Sequence, residues 1–141
     1  MEKITFDSGV QEFRINGEGV LRFNPGDPNV YARFMDSANK MEALEKELST
    51  QAEALKEGDA QGMVQLMQLT DRKVKELLSW VFGADNDFDR ILGGISLFAV
   101  ADNGKRVIHN LFDALRPVLE AGAKRCARQA VNQAKARRAA R

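Results

Sequence analysis

The 141-residue sequence is poor in the residue types that usually announce a chemistry. Its single cysteine, Cys126, excludes an internal disulfide framework, and a reducing cytoplasm is the simplest setting. Its single histidine, His109, cannot complete a zinc site with Cys126 without two further ligands, and the sequence points to none. No nucleophile with an orienting partner accompanies His109, so it reads as a partly buried helix residue. Gly17 and Gly19 do not continue into G-x-G-x-x-G, and no lysine follows in P-loop spacing. Asp85, Asp87 and Asp89 have the spacing that opens a calcium loop. Arg90, however, stands where glycine is required, and Ser96 where a bidentate glutamate is required. These acids are expected to cap and solvate a helix start. The expectation is a non-enzyme with no catalytic residues, cofactor or metal. No apolar run approaches the ~20 residues of a membrane span. The opening MEKITFDSG lacks the apolar core of a secretory signal, so a cytoplasmic location without membrane contact is expected.

What is present is 44% hydrophobic and 29% charged residues, the balance of a folded domain with a real core. The net charge of +1 hides an asymmetry. From Ala121 onward there are seven basic residues (Lys124, Arg125, Arg128, Lys135, Arg137, Arg138, Arg141) and no acidic ones. Removing those seven from the chain's 21 basic residues leaves 14 against 20 acidic, so residues 1–120 carry −6. An acidic body is joined to a basic tail.

Val10 to Ile15 alternates apolar and polar residues, as does Val20 to Phe23, with Asn16-Gly17 between them. This is a hairpin signal. Ile4 and Phe6 extend the alternation as a third short strand. A hairpin alone is marginal in water and must lie against helices. The stretch RFNPGDPNVYARF then closes one element and opens another. Pro25-Gly26 suits a type II turn with Gly26 at positive φ, Asp27 suits an N-cap, and Pro28 suits the first helical position. From Pro28 to about Glu57, Val30, Phe34, Met41, Leu44, Leu48 and Leu55 hold heptad a and d positions, with polar Ser37 and Gln51 at the remaining d positions. Asp36 with Lys40 and Glu42 with Lys46 are spaced for i,i+4 pairs on the wet side. The stripe is expected to pack on the chain's own neighbours. If a partner takes it instead, Phe34, Met41, Leu48 and Leu55 are the candidate contacts.

Gly58 ends this helix and Asp59 caps the next, whose apolar face runs from Met63 through Leu66, Met67, Val74, Leu77 and Leu78 to Val81. A short helical turn in ADNDFDRILGG follows. Ser96 caps a turn over Leu97–Ala101, and Asp102-Asn103-Gly104 is a break. A last helix starts near Lys105, buries Val107, Ile108, Leu111, Phe112, Leu115, Val118 and Leu119, and is kinked or loses a hydrogen bond at Pro117. Beyond Gly122 helix propensity is high but large apolar residues are nearly absent, so residues 123–141 are expected to fray. Within this tail Lys124, Arg125, Arg128, Lys135, Arg137 and Arg138 are the candidate partner contacts. Arg128 and Lys135 share a face if the tail is helical. Three readings fit the tail: an exposed terminus that serves only solubility; nucleic acid, whose phosphates Lys and Arg would meet although no aromatic residue is interleaved for base stacking; and an acidic protein surface, such as another copy's body or a long acidic coiled coil. The fold class expected is α+β, mainly α: an N-terminal hairpin on a small bundle of helices in residues 1–122, followed by the basic tail.

A hairpin written FRING, then LRFNPGDPNV, then a long charged helix, with WVFG, GISLFAVADNG and FDALRPVLE further on, resembles the tail assembly chaperones of siphophages and prophages. The resemblance covers most of residues 10–122 and rests on turns and packing patterns. It implies a non-enzymatic protein that coats the tape-measure protein and helps recruit tail-tube subunits. Such a protein works in the host cytoplasm and is absent from the finished virion. In such families a longer, frameshifted form is common. Two readings stand beside it: a small nucleic-acid-binding accessory protein using the tail, and a structural oligomer of a phage particle.

Overall fold

The structure is a computed structural model that describes residues 1–140, and Arg141, counted above in the basic tail, lies outside them. It is mainly helical, with one antiparallel two-stranded sheet at the N-terminal end: β1 (Gln11–Ile15), β2 (Gly19–Phe23), α1 (Pro28–Glu53), α2 (Ala60–Phe82), α3 (Phe88–Ile91) and α4 (Val107–Ala139). This is the α+β, mainly α, class expected from the sequence.

The hairpin pairs Gln11 with Phe23 through to Ile15 with Gly19, closing on Asn16-Gly17-Glu18, with Asn16 and Gly17 both at positive φ. Leu21 and Phe23 are buried and Phe13 and Ile15 half-buried, so one face of the sheet meets the helices. Phe13 stacks on Phe23 at 4.9 Å, and Phe23 meets Phe82 of α2 edge-on at 4.9 Å. The alternation of Ile4 and Phe6 does not produce a third strand. Residues 1–10 lie outside the sheet, with both side chains exposed.

The Asn24–Asp27 turn also differs from expectation. Asn24 Oδ1 accepts the Gly26 N–H at 2.8 Å and the Asn24 carbonyl accepts the Asp27 N–H at 3.1 Å, while Gly26 is not among the positive-φ glycines. The Asn24 side chain selects this turn, so it is not type II. Asp27 caps α1 as expected, accepting from the Asn29 N–H at 2.9 Å with Pro28 in the first turn.

Val30, Phe34, Met41 and Leu48 of α1 enter the core, and α1 packs along α2, so the apolar stripe is occupied within the chain. Buried Ser37 donates to the Phe34 carbonyl, which satisfies the polar d position locally. The helix ends at Glu53, capped by Ala54, so Leu55 lies beyond it, half-buried, and the fourth heptad is not completed. The Asp36–Lys40 and Glu42–Lys46 pairs form at 3.8 and 3.7 Å on the exposed side. Asp59 caps α2 through the Gly62 N–H at 2.9 Å.

α4 begins at Val107 without a side-chain cap. Its first N–H groups instead reach the chain that precedes it: Val107 donates to the Ala99 carbonyl and Ile108 to the Leu97 carbonyl, both at 2.9 Å. Ser96 Oγ accepts from the Phe98 N–H at 3.1 Å, holding the turn before it. Pro117 does not end the helix, and the N–H it lacks would have served a solvent-facing turn. The tail is helical: α4 runs without interruption to Ala139. The packed first half supplies the nucleus, and residues rich in Ala, Lys, Arg and Gln propagate it.

Candidate functional site

Two features stand out once side chains are followed, and the first is the C-terminal half of α4. Gly122 is the last buried residue of that helix. A Cβ there would overlap the Pro25 carbonyl, so only glycine lets α4 cross the Asn24–Asp27 turn this closely. The NPGDP stretch is therefore a seat for α4 as well as a link between hairpin and helix. Past the crossing, every residue from Ala127 to Ala140 is exposed. With 1.5 Å of rise per residue, the span from Lys124 to Arg138 extends about 21 Å.

Along that arm, Lys124, Arg128, Val131, Lys135 and Arg138 follow one another at steps of four, three, four and three, the spacing of one helix face. Arg125 and Arg137 project from other sides. Among the described residues no arm cation pairs with a carboxylate. Arg137 and Arg138 lie in the last turn, where the helix dipole favours positive charge. The tail residues singled out from the sequence thus divide into a ridge of four cations around an exposed valine and two cations off it. Of the other candidate contacts, Phe34, Met41 and Leu48 are buried in the chain's own core, and Leu55 is half-buried beyond the end of α1. The apolar stripe packs on the chain's own neighbours, the first of the two expectations for it.

The second feature was missed in the sequence. Lys75, in the middle of α2, is buried and donates to Asp71 Oδ2 at 2.8 Å, Asp89 Oδ1 at 2.7 Å and the Ile95 carbonyl at 2.9 Å. All three ammonium protons are used. Asp71, also buried, accepts the Leu97 N–H at 2.8 Å through its other oxygen. Burial pulls the Lys75 pKa down, but the hydrogen bonds and charges of Asp71 and Asp89 outweigh it and hold the ammonium above its ordinary value. Lys75 in turn holds Asp89 below the usual carboxylate range. A lysine kept protonated and fully hydrogen-bonded is a poor nucleophile or base, so this network ties the 87–97 segment to α2. The signal in the sequence is an Asp–Lys i,i+4 pair inside the apolar face of α2. The network forms one wall of an open cleft of about 950 Å³ that also includes Arg72, Glu76 and Trp80. Lys40 lies 3.8 Å from the centre of the Trp80 ring, on the α1 side of that residue.

A second polar anchor, Asn86, holds the hairpin. Its Oδ1 accepts the Arg22 N–H at 2.9 Å and its Nδ2 donates to the carbonyls of Arg22 at 2.8 Å and Phe82 at 3.1 Å. The side-chain amide acts as one residue of a third strand against β2.

Of the three acids spaced like a calcium loop, Asp87 caps α3 through the Asp89 and Arg90 N–H groups, and Asp89 is taken by Lys75. Among the described residues no three metal-ligating side chains converge. His109 is exposed in the first turn of α4, not partly buried as expected, and Cys126 is half-buried. No described helix is long and apolar enough to cross a membrane. Comparison with known protein families, curated proteins and solved structures gives no match.

Proposed function

We propose that this protein is a non-enzymatic assembly factor of the phage tail assembly chaperone kind, which holds the tape-measure protein and assists tail-tube assembly. The observation that carries the reading is the α4 arm, with Lys124, Arg128, Lys135 and Arg138 aligned around Val131 over about 21 Å. A straight cationic ridge with an apolar centre is suited to lie along a second helix that presents acids at the same spacing. A tape-measure protein, as a long helical partner, would be held wherever its own acids recur at that spacing. The resemblance of the FRING, LRFNPGDPNV and FDALRPVLE segments supports the same assignment. The α1 stripe has no part in it, because it is buried.

The test is co-expression with the tape-measure protein of the same tail module, followed by capture. Reversing two ridge cations, Arg128 and Lys135, to glutamate is expected to abolish co-purification. Reversing Arg125 and Arg137 is expected to leave most of it. Equal loss from both pairs of changes would remove the ridge from the argument. Capture of nucleic acid, falling steeply with salt and insensitive to which cations are reversed, would favour the accessory-protein reading. Persistence of the protein in finished particles would favour a structural component.

A further inference from the structure

The first eight residues bury nothing, yet they carry the pattern of a strand. Lys3-Ile4-Thr5-Phe6-Asp7 alternates polar and apolar residues, and Ile4 and Phe6 are 88% and 79% exposed. Asn24 Nδ2 donates to the Ser8 carbonyl at 3.1 Å, Asp7 Oδ1 accepts the Gly9 N–H at 2.9 Å, and Gly9 has φ +76°. These contacts fix where the segment leaves the domain, and it leaves without folding back on its own sheet.

That sheet has one closed edge and one open edge. Asn86 occupies both peptide groups of Arg22, so on β2 these groups point away from β1. Glu12, directly opposite Arg22, must then turn its own N–H and C=O outward from β1, as must Arg14 two residues on. Those four groups line an edge without a strand. On its core-facing side the same edge ends in Phe13 and Ile15, both only half-buried. The chain therefore carries an unfilled strand position and, in the same molecule, an unpartnered segment of matching alternation.

We propose that residues 3–7 of one copy add as a strand to the open β1 edge of a second copy. Ile4 and Phe6 then continue the apolar face of Phe13 and Ile15, and Thr5 lies beside Arg14. Two alignments satisfy this. The antiparallel one sets Asp7 against Glu12, a repulsive neighbour, whereas the parallel one sets Lys3 there, so charge favours the parallel addition. The main-chain groups of Glu12 and Arg14 supply hydrogen bonds, and alternate side chains supply selectivity. An exposed edge of this kind otherwise remains a template for unselected pairing.

The experiment uses the full-length chain with Cys126→Ser, the only native thiol being removed. Thr5→Cys and Arg14→Cys are made separately, mixed and oxidised, and sedimentation over a concentration series is followed in parallel for the unmodified chain and for Phe6→Asp. The expected result is a disulfide-linked pair formed by the mixture and by neither variant alone. Phe6→Asp is expected to weaken association by about tenfold or more, the effect of losing burial of one large apolar side chain. Because Phe6 is exposed in the single chain, its melting curve at low concentration should not move. Cross-linking of Thr5→Cys with itself would mean that the segments pair with each other, and would overturn the proposal. So would association unchanged by Phe6→Asp, or a monomer at all concentrations.

Discussion

Replacing Lys75 by methionine tests whether the buried network holds the fold. Methionine matches the length of the side chain but leaves Asp71 buried without its cation and Asp89 without its partner. Breaking a buried pair from one side typically costs about 3–5 kcal/mol, because the remaining charge has lost its compensation. For a chain of 141 residues that corresponds to a fall in Tm on the order of 10 °C. Urea unfolding followed by far-UV circular dichroism gives the same quantity as a shift in midpoint at constant slope. The pH dependence follows from the two directions. Lys75 is held above 10.5, so its contribution is fully present below that value and is lost as pH rises through the folded pKa. Asp89 is held below 3.8, so its contribution is present above that value and is lost as pH falls through the folded pKa. The difference between native chain and variant should therefore be flat from about pH 5 to 9 and shrink below pH 4. Changing Asp71 to leucine in the same chain should recover part of the loss, short of all, since the Leu97 N–H then lacks its acceptor. A single-variant cost below about 1 kcal/mol, with no acid dependence, would show that water already solvates these groups and would refute the reasoning.

Asn86→Leu removes three hydrogen bonds at one position and should cost about 2–4 kcal/mol, with hydrogen exchange of the hairpin amides rising more than that of α1. Gly122→Ala reverses the usual rule for a helix interior: alanine should destabilise by about 1–3 kcal/mol, because its Cβ meets the Pro25 carbonyl, and a stabilised variant would disprove the close crossing. Asp27→Ala removes the α1 cap and should cost about 1 kcal/mol, measured as a small fall in Tm. Phe34→Ala should cost about 3–5 kcal/mol, as a core residue does, where a partner-facing residue would change stability little.

What could be read from the sequence was whatever depends on neighbours along the chain. The alternation through Phe13 and Ile15, the Asp27-Pro28 start and the Asp59 cap are local chemistry, and all three are found. The Asn24 turn departs from its expected type although it is local, because the asparagine side chain, and not a positive φ at Gly26, sets its geometry by accepting the Gly26 N–H. Ile4 and Phe6 show the limit of periodicity: it identifies a segment fit to be a strand and says nothing of where its partner is. Asn86 was illegible for the same reason, since its amide serves a residue 64 positions away. Asp71 and Lys75, by contrast, are legible in the sequence. Two charges placed i,i+4 within the stripe of Val74, Leu78 and Val81 must face the interior together, and only mutual pairing makes that tolerable.

The high helix propensity beyond Gly122 is realised as helix to Ala139, although large apolar residues are nearly absent there. A continuous helix changes what its charge can do. A mobile tail of opposite sign would settle on its own acidic body, where Asp36, Glu42, Glu45, Glu47 and Glu53 of α1 are exposed. In the continuous helix none of those acids pairs with the arm. The repulsion among aligned cations is thus left unrelieved in the single chain, eased only by solvent and the helix dipole. Lys124, Arg128, Lys135 and Arg138 stand in four-three register around Val131. If the proposed helical partner is read by that register, ridge and off-ridge cations are not interchangeable, which is why variants that separate them at equal net charge discriminate better than a change in net charge alone.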